Sequence, residues 1–305
     1  MRLRTFTGLC VLVSMLGGCA AQPTRGPVEV QGTPGQQPTA SRQAETPLPN
    51  APDSLKFGVL GDFGTASRAQ FEMGAEMARV RERFPYELVV TTGDNIYGSE
   101  RPQDFARKFE APYKALLDAG VKFYASLGNH DSREQRNYKL FNMDGKLYYS
   151  FKAPKQNVRF FALESGYMEP DQVTWLEKEL AGAREDWKIA FFHHPLYSSG
   201  GRHGSDIRLR EVLEPLFLKY NVSVVLTGHD HFYERVKPQQ GIVYFVVGAG
   251  GKLRRGNLRD SPITAAGFDT DYSFMVAEIL GDEMYFNAIS RTGRVVDSGV
   301  ITRRK

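Results

Sequence analysis

Two histidines stand two positions apart in Leu226-Thr227-Gly228-His229-Asp230-His231-Phe232-Tyr233. They follow an apolar run, Val222 to Leu226, that reads as a buried strand ending in a glycine turn. A turn at the carboxyl end of a strand can aim two imidazoles into one cavity. A lone His-x-His is weak evidence of chemistry, but the chain has 6 histidines, all between His130 and His231. Four more strand-then-polar-turn units precede it: Gly61-Asp62-Phe63-Gly64, Gly93-Asp94-Asn95-Ile96-Tyr97, Gly128-Asn129-His130-Asp131 and His193-His194-Pro195. Taken singly, each has a bland reading as a strand-ending turn, a helix cap or a buried polar turn. Together they gather two carboxylates, an amide oxygen and three imidazoles. That mixed oxygen and nitrogen set suits Zn, Fe, Mn or Ni rather than Ca or Mg alone. Asp62 and Asp94 would repel each other on burial, and a pair of cations removes that cost. The order of the motifs points to two metal ions.

Strands and helices must bring these turns together. Phe57 to Leu60, Tyr86 to Thr91, Val121 to Leu127 and Lys188 to Phe192 read as strands delivering Asp62, Asp94, Asn129 with His130, and His193. Between them Ala66 to Phe84, Pro102 to Ala119, Asp171 to Ala183 and Asp206 to Lys219 have helical spacing. Leu147 to Phe151 and Val158 to Leu163 alternate like an antiparallel pair. Ile242 to Val247 is a further strand, and three short strands separated by Gly281 and Gly293 close the chain. Strand-helix alternation with antiparallel pieces predicts an α/β fold, a sandwich of two mixed β-sheets face to face with helices outside. All five motifs follow strands, so they can converge on one edge.

Composition bounds the rest. Of 305 residues, 41% are hydrophobic and 12% aromatic, enough for a sizeable core, which excludes global disorder. A formal net charge of +4 is too small for a dedicated nucleic-acid binder. Residues 1–19 combine a basic start with an apolar run from Phe6 to Leu16, too short to span a bilayer. Their end, Leu16-Gly17-Gly18-Cys19, resembles a bacterial lipobox, so the expectation is an exported protein held to a cell membrane by a lipid on Cys19. Ordinary secretion with cleavage nearby is the alternative. Cys10 and Cys19 are the only cysteines, so the mature domain would carry no disulfide. Residues 20–53, rich in Pro, Gln, Thr and Gly, read as a flexible tether, and 54–305 as the folded domain.

In order and residue type, the five motifs resemble the calcineurin-like metallophosphoesterase superfamily. Within it they look most like the low-molecular-weight purple acid phosphatases, which place a tyrosine three residues after the bridging aspartate, as Tyr97 follows Asp94. The resemblance covers Phe57 to about Ile301 and implies a four-layer αββα sandwich. It implies that Asp62, Tyr97 and His231 hold a ferric ion, that Asn129, His193 and His229 hold a divalent ion (Fe, Zn or Mn), and that Asp94 bridges both. A packed aromatic is the alternative for Tyr97. By the same resemblance His130 protonates the leaving group, and His203 is a second histidine near the substrate. An exposed loop histidine is the alternative for His203. The implied activity is acid phosphomonoester hydrolysis on small phosphoesters; a phosphodiesterase or nucleotidase, or a non-catalytic surface lipoprotein, are the rivals.

Three departures stand out. The loop from Gly166 to Gln172 is short and lacks the cysteine of animal-type enzymes. Glu164 stands where the family usually has an aspartate. Lys252, Arg254, Arg255 and Arg259 form a basic loop, read as solvated in preference to substrate-attracting.

Overall fold

Apolar runs buried along their whole length, such as Val89-Val90 and Val224-Val225-Leu226, form parallel strands covered on both faces. The computed structural model describes residues 45–305. The expected leader, its Cys19 and the tether as far as residue 44 lie outside the described residues. The described chain runs through β1 (Leu55–Leu60), α1 (Arg68–Arg83), β2 (Leu88–Thr91), α2 (Pro102–Phe105), α3 (Lys114–Asp118) and β3 (Lys122–Ala125). It continues with β4 (Tyr149–Lys152), β5 (Val158–Ala162), α4 (Pro170–Gly182), β6 (Trp187–Phe191) and α5 (Ile207–Lys219). Then come β7 (Val224–Thr227), β8 (Tyr233–Val236), β9 (Val243–Val247), β10 (Thr264–Phe268), β11 (Ser273–Leu280), β12 (Glu283–Ser290) and β13 (Val295–Thr302).

These strands make two mixed sheets. One has the order β13-β12-β11-β1-β2-β3, the other β10-β8-β9-β7-β6-β5-β4. In the first, β1, β2 and β3 are parallel; in the second, β5, β6, β7 and β9 are. Alternate side chains explain the layers. Phe57, Ile189, Phe191, Phe245 and Phe286 share one core with Met73 and Met77 of α1. Their neighbours Ala190, Phe192 and Tyr244 point the other way, onto Leu176 and Leu180 of α4 and Leu213 and Phe217 of α5. The result is the expected sandwich of two mixed sheets flanked by helices. No helix among the described residues is long and apolar enough to cross a membrane.

Local differences have physical causes. The single helix expected over Pro102 to Ala119 is broken into α2, a π-helical turn over Ala106–Glu110, and α3. Pro112 has no N–H to continue the ladder, and Ala111 N–H instead reaches back to Ala106 O at 2.8 Å. β8 and β10 escape the sequence pattern because their Tyr-Glu-Arg-Val and Thr-Ala-Ala-Gly-Phe runs alternate weakly. The folded contacts also begin before Ser54. Thr46 N–H donates to Ser298 Oγ at 2.8 Å, and Asn50 and Ala51 N–H donate to Glu278 at 2.6 and 2.7 Å.

Candidate metal centre

Asp62 follows β1, Asp94 follows β2, Asn129 and His130 follow β3, His193 follows β6 and His229 follows β7. β1, β2 and β3 are parallel in one sheet and β6 and β7 in the other, so all five turns open on one edge, the usual ligand side of such sheets. Three of these residues, Asp62, Asp94 and His229, have left-handed backbones with φ of 55, 52 and 69°. Each costs on the order of 1–3 kcal/mol for a non-glycine residue and persists only where the surroundings enforce it. Here they do. His229 N–H donates to Asp62 Oδ2 and His130 N–H to Asp94 Oδ1, both at 3.0 Å. Gly128 and Gly228 permit that approach, since a Cβ at either would strike the Asp94 or Asp62 carboxylate.

The donor atoms fall into two groups. Asp62 Oδ1, Tyr97 Oη and His231 Nε2 form a triangle with sides of 3.3, 3.3 and 3.4 Å. Ligand bonds of about 2.0–2.2 Å place neighbouring donors on one ion at about this spacing. In the second group, His193 Nε2 faces Asn129 Oδ1 at 3.0 Å, His229 Nδ1 at 3.1 Å and Asp94 Oδ1 at 3.4 Å. His193 Nδ1–H donates to the Thr92 carbonyl at 2.9 Å, which leaves Nε2 as a bare lone pair aimed at other acceptors. Asp62, Asp94 and His193 bring ligand atoms within 4.8 Å of one another, so Asp94 lies between the groups. Lone pairs gathered in this way repel unless a cation sits among them. The residues present fit a metal centre.

Electrostatics agree. Burial, and then the neighbouring Asp94, push the Asp62 carboxyl well above its usual range. Burial, followed by Asp62 and Asp94, raises the Tyr97 phenol. Burial lowers His193 strongly, brings His229 to about 2 with help from His193 and His194, and brings His231 to about 4 with help from Arg254. The imidazoles are therefore neutral and ready to ligate, while the acids are held in an environment that asks for positive charge.

Of the two remaining site histidines, His130 is exposed, with its ring 4.9 Å from that of Tyr97. His203 is also exposed, yet its ring lies 4.1 Å from that of His229, so the loop brings it to the centre. His194 joins His193 and His229 with ligand atoms within 4.8 Å. Its Nδ1 is engaged with Ser165 Oγ at 2.9 Å, and that oxygen also accepts the His193 and His194 N–H groups at 3.2 and 3.0 Å. Ser165 thus anchors the histidine turn. Glu164 instead accepts Gly166 N–H at 2.8 Å and closes the short loop after β5.

Several supporting residues carry no sequence signal beyond their polarity. Lys108, on the π-helical turn, donates to the Tyr97 and Ser99 carbonyls at 2.6 and 2.7 Å and so fixes the tyrosine loop. Asp230 points away from its histidine neighbours and accepts Ser198 Oγ–H at 2.6 Å and Gly204 N–H at 3.1 Å, holding the His203 loop. Asp131 does most. Its carboxylate accepts Asn95 N–H, Asn95 Nδ2–H and Ile96 N–H at 3.0 Å, Gly128 N–H at 2.9 Å and Gln135 Nε2–H at 2.8 Å. Burial and then Asp94 push its acid up to about 7. Asp131→Ala should strand these donors and cost roughly 3 kcal/mol or more, lowering Tm by about 10 °C. A melting curve unchanged by the substitution would refute that role.

The family model for the calcineurin-like phosphoesterase matches residues 55–233. The chain belongs to that family. It is a metal-dependent phosphatase in the broad sense, a hydrolase of phosphate esters. Human tartrate-resistant acid phosphatase type 5 is 28% identical over 312 residues, spanning 83% of this chain and 93% of that protein. Purple acid phosphatase 17 of Arabidopsis thaliana is 28% identical over 247 residues, 69% of this chain and 72% of that protein. Among solved structures, purple acid phosphatase PPD1 from yellow lupin seeds matches with a TM-score of 0.67 at 20% identity, over 84% of this chain and 55% of that one. GAP50, described as the anchor in the inner membrane complex of Plasmodium, matches with a TM-score of 0.71 at 19% identity, over 83% and 90%. Likeness at that level speaks for fold alone.

Proposed function

We propose that the chain is a dinuclear acid phosphomonoesterase of the purple acid phosphatase kind, releasing phosphate from organic esters outside the cytoplasm. The observation that carries this reading is the pair of donor groups on either side of Asp94, with Tyr97 in one of them. In this reading Asp62, Tyr97 and His231 hold a ferric ion, and Asn129, His193 and His229 hold a divalent Fe, Zn or Mn. Asp94 serves both. Two such ions, when bound, clamp the phosphate ester, lower the pKa of water and neutralise the in-line oxygens. The chain's own residues do the rest. Water adds to phosphorus, the ester P–O bond breaks, and the departing alkoxide takes a proton from a ring N–H of His130. His203, beside His229, steadies the substrate through its ring N–H. The products are the alcohol and inorganic phosphate.

Tyr97 supports iron in particular. Its phenol is held protonated by burial and by Asp62 and Asp94, and a strongly charged cation is needed to displace that proton. The purified protein should contain iron, absorb visible light through a tyrosinate-to-iron transition, and work best below neutral pH. Tyr97→Phe should bleach the colour. Colourless, iron-free and active protein with an alkaline optimum would remove this assignment and leave the family membership standing.

The placement outside the cytoplasm rests on residues 1–19. With Cys19→Ser the protein should leave the membrane fraction while keeping its activity. Retention in that fraction would mean that Cys19 is not the anchor.

A further inference from the structure

Three cations without a carboxylate partner among the described residues stand on the loops beside the metal centre. Lys252 holds its Nζ 4.6 Å from the centre of the Tyr97 ring. Arg254 donates its backbone N–H to His231 O at 3.0 Å. Arg202 precedes His203, whose ring lies 4.1 Å from that of His229. None of the three forms a salt bridge among the described residues, whereas Arg101, Arg107, Arg235, Arg291 and Arg303 all do. Asp230 lies nearby, but its carboxylate is taken by Ser198, Gly204 and Asn257.

The two loops that carry these cations are fastened to the site and to each other. Gly251 and Lys252 N–H donate to Asp62 O at 3.0 and 2.9 Å. Gly201 N–H donates to Asn257 O at 2.8 Å, and Arg259 N–H to Ser199 O at 3.0 Å. These backbone bonds hold the loop against the site, where Lys252 and Arg254 are half-buried. Arg255 and Arg259 are exposed. The proposed metals and histidines already serve the scissile phosphate. These cations remain free for another anion.

We infer that Arg202, Lys252 and Arg254 form a subsite for a second phosphate group, so that the preferred substrates are bisphosphates. The inference rests on the phosphatase reading and names the substrate class of that same site. A matched pair of substrates tests it: fructose 1,6-bisphosphate against fructose 6-phosphate, with the metal-loaded enzyme and its variants. The wild type should show the lower KM for the bisphosphate. The double variant Arg202→Gln with Arg254→Gln keeps the backbone N–H to His231 O. It should raise KM for the bisphosphate by about tenfold or more, with a change below about threefold for the monophosphate and little change in kcat. Arg255→Gln, one charge lost from the same loop, should leave both unchanged. Equal losses on both substrates, or an Arg255→Gln effect matching that of the double variant, would reduce the cations to a general field and overturn the subsite. A wild type without preference would overturn it too. Hydrolysis of neither sugar phosphate by wild type would overturn the phosphomonoesterase reading, and the subsite with it.

Discussion

Chelation should abolish activity and lower the melting temperature by on the order of 10 °C. The physical reason is the crowd of acceptors around Asp94. Asp62 and Asp94 are 0% and 1% exposed, no lysine or arginine among the described residues pairs with either, and His193 aims an unprotonated nitrogen among them. Without cations the fold bears this repulsion, together with three left-handed backbones at Asp62, Asp94 and His229. Metal binding to the native state alone contributes RT ln(1 + [L]/Kd), about 4 kcal/mol at a thousandfold excess over Kd. For a domain of this size that corresponds to roughly 2–4 °C per kcal/mol. The pH dependence has a definite sign. His231 and His229 have folded pKa values lowered to about 4 and about 2, so they stay unprotonated as pH falls from 6.5. Their ligand capacity should be lost only as pH falls through about 4, which lets the enzyme keep its metal in mild acid. Calorimetry with and without chelator, plus metal analysis across pH 3–7, checks both statements. A metal-free protein that melts with the loaded one would contradict them.

His130→Ala should retain both metals yet lose roughly 10²–10⁴-fold in kcat on alkyl phosphates. The structure separates these two properties. His130 fastens its backbone N–H to Asp94 Oδ1 at 3.0 Å, and alanine keeps that bond. The side chain is exposed beside Tyr97 and belongs to neither donor group, so its removal leaves the ligand set intact. Only the proton for the departing oxygen is missing. An aryl phosphate with an acidic leaving group hardly needs that proton, so the loss there should shrink towards tenfold or less. Equal losses on both classes of ester would rule out a general-acid role. Loss of metal from the variant would show instead that the side chain supports the centre.

Much of the site was legible from local pattern. A polar residue just after an apolar run is carried to the end of a strand, and parallel strands share an edge. Asp62, Asp94, Asn129, His193 and His229 could therefore be placed together before any coordinate was known. His231 stands in the same turn as His229, whereas Tyr97 was reached only through the family resemblance. His203 needed the resemblance, since nothing in Arg202-His203-Gly204 distinguishes it from a loop histidine.

Other features existed only once the chain had closed on itself. Asp131 reads as a turn residue, yet it ties the loops after β2 and β3 together through bonds to Asn95 and Ile96. Lys108 reads as one more basic residue on a helix, and the π-helical turn over Ala106–Glu110 brings it to the tyrosine loop. Pro112 caused that turn, but nothing local says which carbonyls Lys108 would meet. The basic loop is another case. Its charges look solvated in sequence, and the bonds from Gly251 and Lys252 N–H to Asp62 O span some 190 residues. Sequence by itself determined which groups could ligate, because strand ends and residue types are local. Tertiary structure decided what holds them and what surrounds them, because those partners are chosen by how two sheets pack, and no spacing along the chain encodes that distance.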